Sequence, residues 1–247
     1  MYKTRKVIFV AWQSPVKRSW HTVGKLTSVD GEYLFEYTVG AKFAESFVPF
    51  SGMDDLGVVY KSKELFPFFS NRILPSRRPE YKSFLSWIGL GVGEDCPMVV
   101  FEKAGGYKST DNIQLFPEVV VDEDGRFELE FFAHGIKYLS EDVQERITKL
   151  ETGSRLYLLP DLQNDFDEFA LAIRSEGPAE IIGYCPRYFA QDLGRIILRN
   201  RRDVSISVAR INQDAPTNYQ LMCRVEGWSK ENKKIFMDRD FSSIANA

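Results

Sequence analysis

Histidine is scarce in this chain. Only His21 and His134 occur in 247 residues, and the three cysteines, Cys96, Cys185 and Cys223, stand far apart. No His/Cys spacing matches a zinc site, and an odd, scattered cysteine count excludes a disulfide framework. A reduced, cytoplasmic chain without a bound metal or other cofactor is the expectation. A basic surplus is missing too: 32 Lys+Arg stand against 35 Asp+Glu, a net charge of -3. Proteins that coat long duplex depend on such a surplus, so any nucleic-acid contact here is local and short. Residues 1–120 carry 15 Lys+Arg against 13 Asp+Glu, and residues 121–247 carry 17 against 22, so the second half is the acidic one. Long apolar runs are absent as well. The basic start M-Y-K-T-R-K leads into an apolar stretch broken by Gln13, Pro15, Lys17 and Arg18. That excludes a signal-peptide core, and no run reaches the roughly 20 apolar residues of a membrane span.

What is present is core material. A chain of 247 residues that is 44% hydrophobic and 14% aromatic is enough for two ordinary domains. The first third reads as β-rich: a buried strand over residues 7–12, then Asp30-Gly31 between alternating runs 23–29 and 32–38, a strong hairpin signal. Residues 64–71, with Leu65, Phe66, Phe68 and Phe69, predict a helix. A second follows Pro79, with Tyr81, Phe84, Leu85 and Ile88 on one face and Gly89 as its stop. The run 98–101 is ambiguous between helix and strand, and residues 113–116 read as a strand. Asp124-Gly125 predicts a second hairpin, pairing 119–121 with the alternating Phe127, Leu129 and Phe131.

Beyond residue 125 the pattern changes to about five short strands with one inserted helix. Residues 155–159, 169–174 and 180–184 read as strands, and so do the alternating runs around Val204, Ile206, Val208 and around Leu221, Cys223, Val225. Pro186 starts a helix with a stripe of Phe189, Leu193, Ile196 and Ile197. Together these predict an α+β chain whose second half is a small, OB-like barrel. The boundaries expected are 1–122 and 123–247.

The most informative stretch is 164–187, reading N-D-F-D-E-F-A-L-A-I-R and then I-I-G-Y-C-P-R. It sets an Asn, an aromatic and an Asp on a turn before a strand, and closes on a second strand entering a helix with Arg at its start. That combination fits a ligand with a planar base, a hydroxyl and a phosphate. The competing reading is that Asn164 and Asp167 make a turn by bonding nearby amides, with Phe166 and Tyr138 as core or rim aromatics.

The ordered set His134-Gly135-Ile136-Lys137-Tyr138, the segment 153–159, Asn164-Asp165-Phe166-Asp167 and Ile182-Gly183-Tyr184-Cys185-Pro186-Arg187 resembles the HIRAN domain over roughly residues 127–227. In the family's DNA-binding members the fold holds the 3′ end of a single DNA strand. The resemblance places His134 to Tyr138 on the first strand. It implies Tyr138 and Phe166 as base-flanking aromatics, Asp167 as acceptor for a terminal 3′ hydroxyl, Asn164 as a polar contact to the end nucleotide, and Lys137 and Arg187 facing phosphates. Phe166 stands where DNA-binding members often carry Tyr, and Tyr184, the seventh residue of the set, where they carry His. Downstream, Arg195, Arg199, Arg201 and Arg202 gather at a helix end, a place that also favours cations without any ligand.

The N-terminal half resembles the N-terminal subdomain of HipA-type kinases over about residues 5–120. The residues are Gly24-Lys25-Leu26, Tyr33-Leu34-Phe35-Glu36-Tyr37, Val48-Pro49-Phe50 and above all Leu65-Phe66-Pro67-Phe68-Phe69-Ser70-Asn71-Arg72-Ile73-Leu74-Pro75. The kinase core is missing, since the chain passes directly into the HIRAN-like half. The lone glycine series Gly89, Gly91, Gly93 follows a helix rather than a strand and reads as a cap and loop. Arg72, Arg77 and Arg78 around Pro75 read as a solvated loop. No catalytic constellation is present. The expectation is a non-catalytic bacterial binding protein for a single-stranded DNA end, serving as sensor or adaptor in repair or defence. The alternative is a protein-interaction module whose partner is a HipA-like kinase.

Overall fold

The computed structural model describes residues 5–108, 110–229, 236 and 239–245. The chain forms two compact units, one of Met1–Glu118 with Met237–Ala247 and one of Val119–Phe236. In sequence order, the second unit is therefore inserted into the first, and the C-terminal segment returns to the N-terminal unit.

The first unit is built on an antiparallel sheet of five strands, β1 (Lys6–Gln13), β2 (Trp20–Val29), β3 (Glu32–Tyr37), β4 (Tyr60–Ser62) and β5 (Ile113–Pro117), ordered β4-β3-β2-β1-β5. The Asp30-Gly31 hairpin forms as the sequence predicts. Both residues take positive φ, 55° and 80°, the primed turn whose twist matches its strands. Four short helices follow the first three strands: α1 (Gly40–Phe43), α2 (Pro67–Ser70), α3 (Tyr81–Trp87) and α4 (Pro97–Ala104). The helix expected over 64–71 is confined to its second half, because Pro67 sits at its first turn and cannot continue a helix begun upstream. The ambiguous run 98–101 is helical, again started by a proline and ended by Gly105 at φ 71°.

Aromatic packing dominates this unit. Phe35, Tyr37, Phe69 and Phe101 are fully buried, and Phe50 stacks on Phe68 at 3.9 Å between ring centres. The Tyr37 hydroxyl donates to the Met53 carbonyl at 2.8 Å and accepts from the Phe50 amide at 2.7 Å, so the buried oxygen is satisfied on both sides. Burial pushes its pKa up to about 12. On the opposite face of β1, Phe9 meets Phe116 and Phe241. The C-terminal segment is thereby anchored, with Ser243 bridged to Thr38 and the Ile244 amide bonded to the Tyr37 carbonyl.

Arg72 departs from the solvated loop expected of it. Its side chain is 3% exposed, pairs with Asp111, donates to the Gly106 carbonyl and lies 4.6 Å over the Phe68 ring. A guanidinium can be buried here because the carboxylate and the aromatic face replace its water.

The second unit is a six-stranded antiparallel sheet curled into a half-barrel: β6 (Arg126–Phe132), β7 (Arg155–Pro160), β8 (Leu171–Ser175), β9 (Ile181–Tyr184), β10 (Val204–Ile211) and β11 (Leu221–Trp228), ordered β6-β11-β10-β7-β8-β9. Its two edges meet where His134, just beyond β6, exchanges both backbone hydrogen bonds with Tyr184 at 2.9 Å. Two α-helices are inserted, not one: α5 (Glu141–Ile147) and α6 (Arg187–Arg199). The helix α6 buries Phe189, Ala190, Leu193 and Ile196 against the barrel, following the stripe read from sequence.

Three local expectations change in this unit. The strands number six, against the five or so expected. The second hairpin is only a turn: the Asp122 amide donates to Arg126 and Gly125 to Asp122, but residues 119–121 join no sheet. Residues 136–138 leave the first strand altogether. Gly135, at φ 80°, turns the chain into a short 3-10 turn, Ile136–Tyr138.

Candidate nucleic-acid interface

Three backbone features meet at one rim of the half-barrel. The first is the 3-10 turn. It buries Ile136 and leaves Tyr138 80% exposed, with Lys137 Nζ lying 4.7 Å over the Tyr138 ring. An aromatic face carrying a cation is placed to receive a flat group and its negative charge together.

The second feature is the loop 161–170 between β7 and β8. Its ends are tied by the Asp161 amide donating to the Ala170 carbonyl at 2.9 Å. Asn164 organises its middle: its side-chain oxygen accepts from the Phe166 amide at 3.1 Å and the Asp167 amide at 3.0 Å, and its Nδ2 donates to Asp161 Oδ2. Asp167 Oδ1 in turn accepts from the Phe169 amide at 3.0 Å. Asn164 and Asp167 thus do the turn work that their residue types favour. The result is a braced loop holding Phe166 out at 72% exposure. Neighbouring Leu162 and Phe169 are exposed as well.

The third feature is the β9–α6 junction. Arg187, the first residue of α6, places Nε 2.9 Å from Asp167 Oδ1 and donates from a terminal nitrogen to the Phe166 carbonyl at 2.9 Å. It clamps the loop from below while staying 24% exposed. Among the described residues the Asp167 side chain, 15% exposed, meets the Phe169 amide and Arg187 through Oδ1. Tyr184 ties the features together. Its backbone pairs with His134, its ring lies against Gly135, and its hydroxyl donates to Asp161 Oδ2 at 3.1 Å. Desolvation and the Asp161 carboxylate raise the Tyr184 pKa, whereas the Asn164 hydrogen bond, ahead of that from Tyr184, lowers the Asp161 pKa. Gly183 is required beside it. At φ 152°, a Cβ there would lie 3.0 Å from the His134 carbonyl oxygen and 3.1 Å from Ala133 Cβ.

All seven residues singled out in the sequence therefore occupy these three features. Tyr138, Phe166 and Lys137 present surface; Asn164, Asp167, Arg187 and Tyr184 build the support beneath. Asp161 was not singled out. It is the hub joining Asn164 to Tyr184, and it read only as a polar residue after Pro160. A further group was also missed: Tyr157 on β7 lies between Arg155 at 5.1 Å and Arg174 at 4.3 Å, and its hydroxyl donates to Glu176. Arg155, Tyr157 and Leu159 alternate along β7 with the buried Leu156 and Leu158, so this outer strip runs toward the loop. His134 is partly buried, and desolvation lowers its pKa to about 4. No group of His, Cys, Asp and Glu among the described residues is arranged to hold a metal ion. No helix among them is long and apolar enough to cross a membrane.

Comparison with known proteins identifies one part of this architecture. Residues 126–230 match the family model of the HIRAN domain. Among solved structures, the HIRAN domain of human HLTF is similar at 16% identity and a TM-score of 0.34, covering 48% of this chain and 92% of that one. A protein from Lactobacillus plantarum is similar at 19% identity and a TM-score of 0.33, covering 42% and 97%. The HLTF HIRAN domain in its DNA-bound conformation is similar at 17% identity and a TM-score of 0.30, covering 45% and 84%. No curated protein matches this chain.

Proposed function

We propose that this is a non-catalytic nucleic-acid-binding protein whose HIRAN unit receives the 3′ end of a single DNA strand, acting as a sensor or adaptor in DNA repair or bacterial defence. The observation that carries the reading is a pair of outward aromatics, Tyr138 and Phe166, on turns braced by hydrogen bonds beneath them. Exposing two large rings on rigid supports forgoes the stability that burying them brings, and stacking of unpaired bases is a use that recovers it. The HIRAN match lies over the same residues, and the HLTF member of that family has a DNA-bound conformation.

In this reading Asp167 accepts the terminal hydroxyl, with Arg187 holding the carboxylate in place and offsetting its charge. Lys137 meets the nearest phosphate, and the Arg155 and Arg174 strip meets the strand as it leaves. The test is anisotropy of short labelled single strands ending in 3′ hydroxyl or 3′ phosphate, at moderate salt. The hydroxyl end binds more tightly in this account; equal affinity for the two ends, or no binding, removes the end-recognition claim.

A second reading concerns the first unit. The run 65–75 resembles the HipA N-terminal subdomain, which motivates pairing with a HipA-like kinase. A pull-down from the native host tests it, and recovery of nucleases or helicases without any kinase-like chain rejects it.

A further inference from the structure

The first unit carries an open pocket of about 420 Å³ lined by Trp12, Phe47, Phe50, Phe68, Arg72 and Asp111. Its volume lies within the range of small-molecule sites, and such sites combine apolar walls with a few placed polar groups. The polar groups narrow the ligand. Arg72 already lies over Phe68 and pairs with Asp111, so the cage does not offer a bare aromatic face to a cation. An anion meets the Asp111 carboxylate, which is 34% exposed against 3% for Arg72. A purely apolar guest covers the exposed part of Asp111, already paired with Arg72, and the exposed Asn112 and Ser46, which also line the pocket, without offering them hydrogen bonds. Arg72 Nε is buried and has no hydrogen-bond partner among the described residues. Ser46 adds backbone strain at the same wall, with φ 67°, an uncommon conformation for serine.

A neutral, flat group bearing both donors and acceptors meets all of these conditions. We propose that this cavity binds a nucleobase, presented by a free nucleoside or by one unpaired base of a strand. Trp12 and Phe47 supply stacking surface, since Phe68 is itself stacked on Phe50 and lies under Arg72; Asp111 accepts from an exocyclic amine or ring N–H, and Asn112 donates to ring nitrogen or carbonyl acceptors. This is a second site, on the unit outside the HIRAN match.

The experiment titrates adenosine, guanosine, cytidine and uridine, all uncharged, into the full chain and reads the part of the tryptophan fluorescence that is lost in Trp12→Phe. At least one nucleoside is expected to give a saturable change. Phe47→Leu is expected to weaken it by about fivefold or more, the lower end of what one base–aromatic stack contributes. Asn112→Trp, at an exposed position that leaves the core intact, is expected to abolish it. If free nucleosides give no change, a short oligonucleotide added to a Tyr138→Ala/Phe166→Ala variant must do so, with the same loss in Asn112→Trp; that outcome assigns the base to a strand. The proposal is overturned if neither probe responds to Asn112→Trp, or if N-acetyl-tyrosinamide saturates the cavity and the nucleosides do not.

Discussion

Each unit contains an Arg–Asp pair beside a phenylalanine, and the two pairs do opposite work. In the first unit Arg72 is almost wholly buried against Asp111 and Phe68, inside a cluster of rings that includes the fully buried Phe35 and Phe69. In the second unit Arg187 and Asp167 lie under a loop and hold Phe166 outward. The same side chains lock a core in one place and display a ring in the other. The difference lies in what surrounds the pair: convergent aromatics from several elements, or a single turn closed by Asn164. The first arrangement packs its pair among core rings, and the second holds its ring at the surface.

That contrast predicts unequal costs. Asp111→Ala leaves the buried Arg72 guanidinium without its carboxylate and should destabilise the first unit by about 3–5 kcal/mol. Chemical denaturation measures it; a loss no larger than that of a surface substitution breaks the comparison.

Acid should act next most strongly, and on the second unit. Burial lowers the His134 pKa from 6.5 to about 4, so between these values the unfolded chain binds a proton that the folded chain refuses. Stability from this group is fully present above pH 6.5 and falls as the pH drops toward 4, by up to about 3 kcal/mol. Melting at pH 7 and pH 5, with and without His134→Gln, reads it, and the variant should lose much of the dependence.

Asn164→Ala should cost less, about 1–2 kcal/mol, since it deletes the acceptor for two loop amides that water can reach. Its larger signature is local: amide exchange at Phe166 and Asp167 should rise while the barrel strands stay protected. Unchanged protection there contradicts the brace.

Much of this organisation is legible in the sequence where the signal is local. Asp30-Gly31 specifies its hairpin because the turn demands positive φ at both positions, and the stripe Phe189, Leu193, Ile196 specifies the buried face of α6. The run 98–101 was not legible, because four apolar residues fit either period and only Pro97 favours a helix start. The helix α5 went unread although Ser140 followed by Glu141 and Asp142 is a helix-start signal. At the candidate site the residue types were visible but the division of labour was not. Nothing local distinguishes Asn164, which turns inward to bond its own loop, from a ligand contact. The Tyr184–Asp161 bond spans 23 positions and exists only once the barrel closes. Arg72 was misread for the same reason, its partner Asp111 lying 39 residues away.

The smallest expected effect on stability is at the display residues. Tyr138→Ala and Phe166→Ala should leave the melting temperature nearly unchanged, because rings this exposed contribute within about 0.5 kcal/mol. Each removes one stacking surface, worth about 1–3 kcal/mol of binding to an unpaired base.

The most direct measurement therefore pairs melting with affinity for a short 3′-hydroxyl single strand in the wild type and the Tyr138→Ala/Phe166→Ala double variant. Unchanged melting and a loss of binding of at least about 30-fold, the smaller stacking contribution taken twice, are expected. Binding that persists at wild-type strength in a fully folded double variant contradicts that expectation.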